Sequence, residues 1–102
     1  MVLVKVCSIE EVPKNGMKGF SVNGREVFVA RAGDDYYCND SACTHRGAPL
    51  HDGDLREKTV TCPWHGAQFD VTTGRHLSPP APGPLKNHRI EVRGKEIWAD
   101  IE

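Results

Sequence analysis

Two stretches constrain this chain more than any other: Cys43-Thr44-His45-Arg46-Gly47 and Cys62-Pro63-Trp64-His65-Gly66. Each offers one thiol and one imidazole, spaced C-x-H in the first and C-x-x-H in the second, with sixteen residues between them. Two soft sulfurs and two nitrogens are a full ligand set for a metal centre. A single tetrahedral zinc satisfies it. So does a [2Fe–2S] cluster with both Cys on one iron and both His on the other.

The arrangement favours the binuclear centre. In zinc fingers each half-site usually takes its two ligands from one residue type, and one half often lies on a helix. Here both halves are mixed, both lie among glycines, and neither flank has helical periodicity. Two such loops can face each other, each giving a Cys to an inner iron and a His to an outer one. Gly47 and Gly66 carry no Cβ, so their backbone can come close to cluster sulfurs and donate N–H groups to them.

With 102 residues, one domain is expected. A domain this small has a modest core and gains stability from a bound centre. The charge is almost balanced, 13 basic against 14 acidic residues, so no basic face for nucleic acid is expected. No apolar run approaches the length of a membrane span, and Met1–Val6 alternates too early for a signal peptide. The expected setting is the cytoplasm. Cys7 and Cys38 have no ligand spacing and read as small buried hydrophobes in strands.

Read in order, the chain is a series of short strands. Val2–Val6 is the first, and Ser8-Ile9-Glu10-Glu11 has the form of a capping box opening one helical turn. Strands are expected over Met17–Val22 and Arg25–Arg31, joined by Asn23-Gly24, a strong hairpin signal. Tyr36–Asn39 follows the turn at Gly33-Asp34-Asp35. Between 40 and 73 the strands shorten to Gly53–Leu55, Thr59–Cys62 and Gln68–Phe69. The proline run Ser78–Pro84 cannot join a sheet ladder and reads as an ordered loop. Asn87–Val92 and Glu96–Ile101 form a last hairpin. The expected fold is all-β, an antiparallel sandwich or barrel of short strands with a small loop-rich cluster-binding subdomain. The base fold takes 1–39 and 85–102, and the cluster-binding insertion about 40–84. Phe20, Phe28, Tyr36, Tyr37 and Trp98 are core candidates, and His51, His76 and His88 read as surface histidines.

Cys43–Ala48 and Cys62–Gly66 resemble the two signature loops of Rieske proteins, and Phe69-Asp70, Thr73-Gly74 and the proline loop fit the same pattern. The resemblance spans essentially the whole chain. It implies one [2Fe–2S] cluster ligated by Cys43, His45, Cys62 and His65. Arg46, Gly47, Trp64, Gly66, Pro79, Pro80 and Pro82 would lie around and over it, and His45 and His65 would be the point of electron entry and exit. Rieske proteins of respiratory and photosynthetic complexes carry an extra Cys in each loop, joined as a disulfide, and a Ser hydroxyl near a bridging sulfur. Ala48, Trp64 and Ala67 stand at those places. Fewer hydrogen bonds to the cluster stabilise the added electron less, so the potential is expected at the low end of roughly −150 to +300 mV.

The chain thus resembles the soluble Rieske ferredoxins that serve bacterial aromatic-ring dioxygenases. The implied function is one-electron transfer from a reductase to a terminal oxygenase, by a monomer that is not itself an enzyme. Two other readings are a small Rieske subunit of an oxidoreductase such as nitrite reductase, and a structural zinc module for protein binding.

Overall fold

The computed structural model describes residues 3–41, 53–63, 66–77 and 84–101. Four strands come first: β1 (Val4–Ser8), β2 (Met17–Val22), β3 (Arg25–Ala32) and β4 (Asp35–Asp40). Three short ones follow: β5 (Asp54–Arg56), β6 (Thr59–Thr61) and β7 (Gln68–Asp70). The chain closes with β8 (Asn87–His88), β9 (Ile90–Arg93) and β10 (Glu96–Ala99). All pairs are antiparallel and form three sheets, ordered β2-β3-β4-β8, β1-β10-β9 and β5-β6-β7. The all-β antiparallel fold is as expected.

Local chemistry accounts for the first hairpin. Asn23 and Gly24 have φ of +53° and +79°, the positive pair that a type I′ turn needs. Val22 then faces Arg25 and every later pair follows, to Met17 opposite Ala30. The 3-10 turn over Ile9–Glu11 is held at its start by Ser8, whose backbone N–H donates to Glu11 Oε2 at 2.7 Å.

β3 organises the interior. Val27, Phe28, Val29 and Ala30 are all fully buried, so both faces of the strand are covered. Side chains alternate across a strand, and the two sets enter different cores. Phe28 and Ala30 pack with Val60, Phe69, Val71 and Leu85, on the β5–β7 side. Val27 and Val29 pack with Cys7, Cys38, Ile97 and Ala99, on the side of β1 and β10. The four-stranded sheet is therefore a middle layer between two smaller sheets. Each fully buried Val or Phe contributes roughly 1.5–3 kcal/mol.

Three expectations need correction. The first strand begins at Val4, and its pairing with β10 slips between Lys5 and Cys7. This bulge is invisible in a run of alternating valines. The single strand expected over Asn87–Val92 is two: β8 pairs with β4, and β9 pairs with β10. The chain changes sheets at Arg89, whose carbonyl accepts from the Asp100 N–H at 2.9 Å. Trp98 is half-buried rather than core. Its ring lies 4.9 Å from the Arg93 guanidinium, and its indole N–H donates to Glu96 Oε1 at 3.4 Å.

Candidate metal centre

Cys62 follows directly on β6. Its backbone N–H donates to the Ala67 carbonyl at 2.7 Å, and the Gly66 N–H donates to the Cys62 carbonyl at 3.3 Å. The loop is thus closed at its base, and Ala67 leads into β7. Cys62 is buried, is not in a disulfide, and packs with Ala67 in the same core as Phe28 and Phe69. Gly66 has φ +73°, and a Cβ there would meet nothing within 4 Å. The left-handed backbone explains this glycine; nothing in the described surroundings presses on it.

The stalk of the first loop is fixed by a network the sequence did not announce. Asp40 ends β4, three residues before Cys43. Its carboxylate accepts from Arg25 Nη1, at 3.2 and 3.1 Å to the two oxygens. His88 Nε2 lies 2.8 Å from the same carboxylate's Oδ1. The Asp40 N–H donates to the Lys86 carbonyl at 2.9 Å, and the Ser41 N–H to the Glu26 carbonyl at 3.0 Å. His88, read from the sequence as a surface residue, has a side chain only 1% exposed. Its register opposite Cys38 puts it in the sheet, and burial is tolerable because Asp40 bonds to its ring.

Asn39 completes the scaffold. Fully buried, it donates to the Val71 carbonyl at 2.8 Å and accepts from Asn87 Nδ2 at 2.9 Å. Val71 belongs to the turn after β7. There Asp70 Oδ1 accepts from the Thr72 N–H at 2.9 Å and the Thr72 hydroxyl at 2.6 Å. Gly74 donates to the Asp70 carbonyl, and its own carbonyl accepts from the Leu85 N–H, both at 2.7 Å. A Cβ on Gly74 would lie 2.5 Å from the Leu85 carbonyl oxygen. Phe69-Asp70 and Thr73-Gly74 therefore build a turn that receives the chain where it returns from the proline run.

Of the candidate site residues, Cys62 and Gly66 are described and lie on one closed loop. Cys43, His45, Arg46, Gly47, Trp64, His65, Pro79, Pro80 and Pro82 lie outside the described residues, as do Ala48 and His51. A buried free thiol on a glycine-shaped loop fits a thiolate-held centre. Among the described residues, no group of three or more His, Cys, Asp and Glu gathers as another metal site. Cys7 and Cys38 are free, buried and in the core on the far side of the middle sheet, as expected of small hydrophobes. Burial pushes their thiols up to about 11 and about 12, so both stay protonated at neutral pH. His76 is exposed, as expected, where it bridges to Phe69. Arg25, Asp40 and His88 were missed because they lie 15 and 48 residues apart and meet only through strand register.

The chain is similar to known proteins along its whole length. The chain is 30% identical over 98 residues to the ferredoxin component of a naphthalene 1,2-dioxygenase system from Pseudomonas aeruginosa, covering 96% of this chain and 94% of that one. In structure it is similar to the ferredoxin of carbazole 1,9a-dioxygenase from Nocardioides aromaticivorans, with TM-score 0.93, 30% identity and full coverage of both chains. It also matches a complex of reduced oxygenase and oxidized ferredoxin in carbazole 1,9a-dioxygenase, with TM-score 0.89, 30% identity and coverage of 99% and 98%. The Rieske [2Fe-2S] domain model matches residues 2–89. That match runs through both Cys/His stretches and most of the strands that carry them, and the chain belongs to the Rieske [2Fe–2S] domain family.

Proposed function

We propose that this protein is the ferredoxin of a multicomponent oxygenase system, taking one electron from a reductase and handing it to a terminal oxygenase of the aromatic-ring class. The observation that carries this reading is the end-to-end match to ferredoxin components, which spans 94% of the naphthalene-system relative and all of the carbazole-system structure. Those relatives are carriers within their systems, not the subunits that oxidise substrate, and this chain is read in the same way. The whole of 1–102 acts as one Rieske domain, with its base in 1–39 and 85–102 and its cluster-binding insertion in about 40–84. Among the described residues no helix is long and apolar enough to cross a membrane, and the proposed location is the cytoplasm.

The [2Fe–2S] cluster, when bound, supplies a one-electron couple. Cys43 and Cys62 would hold it as thiolates on one iron, and His45 and His65 as imidazoles on the other. Cys62 would present its thiol from a buried position, with its backbone held by Ala67 and Gly66. Ala67 is fully buried and has no hydroxyl. No side-chain hydroxyl from that position can hydrogen-bond to the cluster and stabilise the added electron, which supports a potential at the low end of the Rieske range. The two His are the proposed exit and entry point, with Arg46 and Trp64 beside them and Pro79, Pro80 and Pro82 as cover.

The test is EPR of the dithionite-reduced protein together with iron and acid-labile sulfide analysis. A rhombic signal with low average g and equal iron and sulfide is expected. A silent spectrum with one zinc per chain would overturn the reading. Cys62→Ser should lose most of the signal while keeping the β-rich circular dichroism spectrum.

A further inference from the structure

We infer that Asp40 and His88, with Arg25, are positioning residues that clamp the first cluster loop against the return of the proline loop. This rests on the proposed ligand role of Cys43. The geometry is specific. Asp40 leads through Ser41 into the first loop, while Lys86 and His88 lie just beyond the end of the proline run. One residue joins these two stalks twice. The Asp40 backbone N–H bonds to the Lys86 carbonyl at 2.9 Å, and its carboxylate to His88 Nε2 at 2.8 Å. Arg25, at the head of β3, holds the same carboxylate from the other side at 3.1 and 3.2 Å.

Burial argues for a purpose beyond general stability. A histidine whose side chain is 1% exposed must keep its ring hydrogen bond or leave a polar atom desolvated, so its orientation is dictated by Asp40. The carboxylate, accepting from both sides, has little freedom to turn. A rigid residue three positions before a ligand fixes the direction in which the loop departs. Groups that hold metal ligands in place tune how firmly the metal is bound; this clamp would act one step further out, through the chain that leads to Cys43. The neighbouring Asn39, bonded to Val71 and Asn87, fixes the sheet beneath.

The experiment uses cluster-loaded protein purified anaerobically. His88→Leu removes the ring donor; His88→Gln keeps a nitrogen donor for Asp40. Ile97→Val, in the core on the far side of the middle sheet, is the control that lowers stability alone. His88→Leu is expected to lose iron to a chelator about tenfold faster than wild type and to show shifted, broadened EPR features. His88→Gln is expected to restore both, and Ile97→Val to lower Tm with unaltered EPR. If His88→Leu does not fold, Arg25→Gln, at the part-exposed member, should show the same faster iron loss. Wild-type EPR and iron retention in the variants at a lowered Tm would overturn the clamp, as would a His88→Gln no better than His88→Leu. Absence of iron and sulfide from the wild-type protein would instead overturn the ligand reading on which the clamp rests.

Discussion

Two glycines of the site region look alike in sequence and differ in what they demand. Gly66 and Gly74 both have left-handed backbones, φ +73° and +82°. At Gly66 an added Cβ meets nothing within 4 Å among the described residues, so in the cluster-free chain Gly66→Ala is expected to carry the conformational cost alone, about 1–2 kcal/mol. At Gly74 the same Cβ would strike the Leu85 carbonyl oxygen at 2.5 Å and come within 3.2 Å of the Asn39 side chain. Backbone cannot yield as a flexible side-chain end can, so Gly74→Ala should cost more than Gly66→Ala and displace the end of the proline loop. Urea denaturation of the two variants checks the order; equal costs would contradict it. Sequence spacing singled out Gly66 as a loop residue and Gly74 as part of a motif. It could not say that one is needed for a torsion and the other also for a crossing of two chain segments.

At the scale of elements, Cys7 on β1 and Cys38 on β4 show how strand register sets chemistry. Both thiols are held up by burial, to about 11 and about 12. The folded state therefore keeps a proton that the unfolded chain releases near the ordinary thiol value of 9.0. The unfolded state binds fewer protons in that window, so stability must fall as pH rises from about 9, levelling off only past the folded values. For Cys38 the slope approaches about 1.4 kcal/mol per pH unit, and Cys7, with the smaller shift, adds less. Urea midpoints between pH 8 and 10.5 should decline, and Cys38→Ala should decline less steeply than wild type. Parallel declines would show that other groups govern the alkaline limb. The Asn23-Gly24 hairpin was legible because turn residues sit next to each other. The slip at Lys5/Cys7 and the sheet change at Arg89 were not, since each depends on what the strand meets across the ladder.

For the molecule as a whole, the middle sheet separates a core that holds Cys62 from one that does not. Phe28 and Val29 are neighbours in sequence, both fully buried, and face opposite cores. Phe28→Ala should cost roughly 3–5 kcal/mol and open a cavity beside Cys62 and Phe69. Val29→Ala should cost about 2 kcal/mol on the far side. Below the unfolding temperature, Phe28→Ala should lose cluster absorbance over time, whereas Val29→Ala should keep it. Loss in proportion to destabilisation alone, tested by plotting cluster content against Tm for both, would show that the two cores act as one.

What the sequence by itself determined is local or compositional. The thiol–imidazole pairs with their glycines point to the family and its proposed ligands, alternating apolar residues specify strands, and Asn-Gly specifies the hairpin, because each signal lies within a few residues. What tertiary structure decided is register and layering. His88 is buried because it pairs opposite Cys38 and finds Asp40. Trp98 stays half-buried, outside both cores, because its neighbours across β9 and β1 are charged residues, Glu91 and Lys5. Phe28 packs in the core that holds Cys62 while Val29 does not, because two different sheets cover the two faces of β3. Those outcomes depend on contacts between residues far apart in the chain, which no short window of sequence contains.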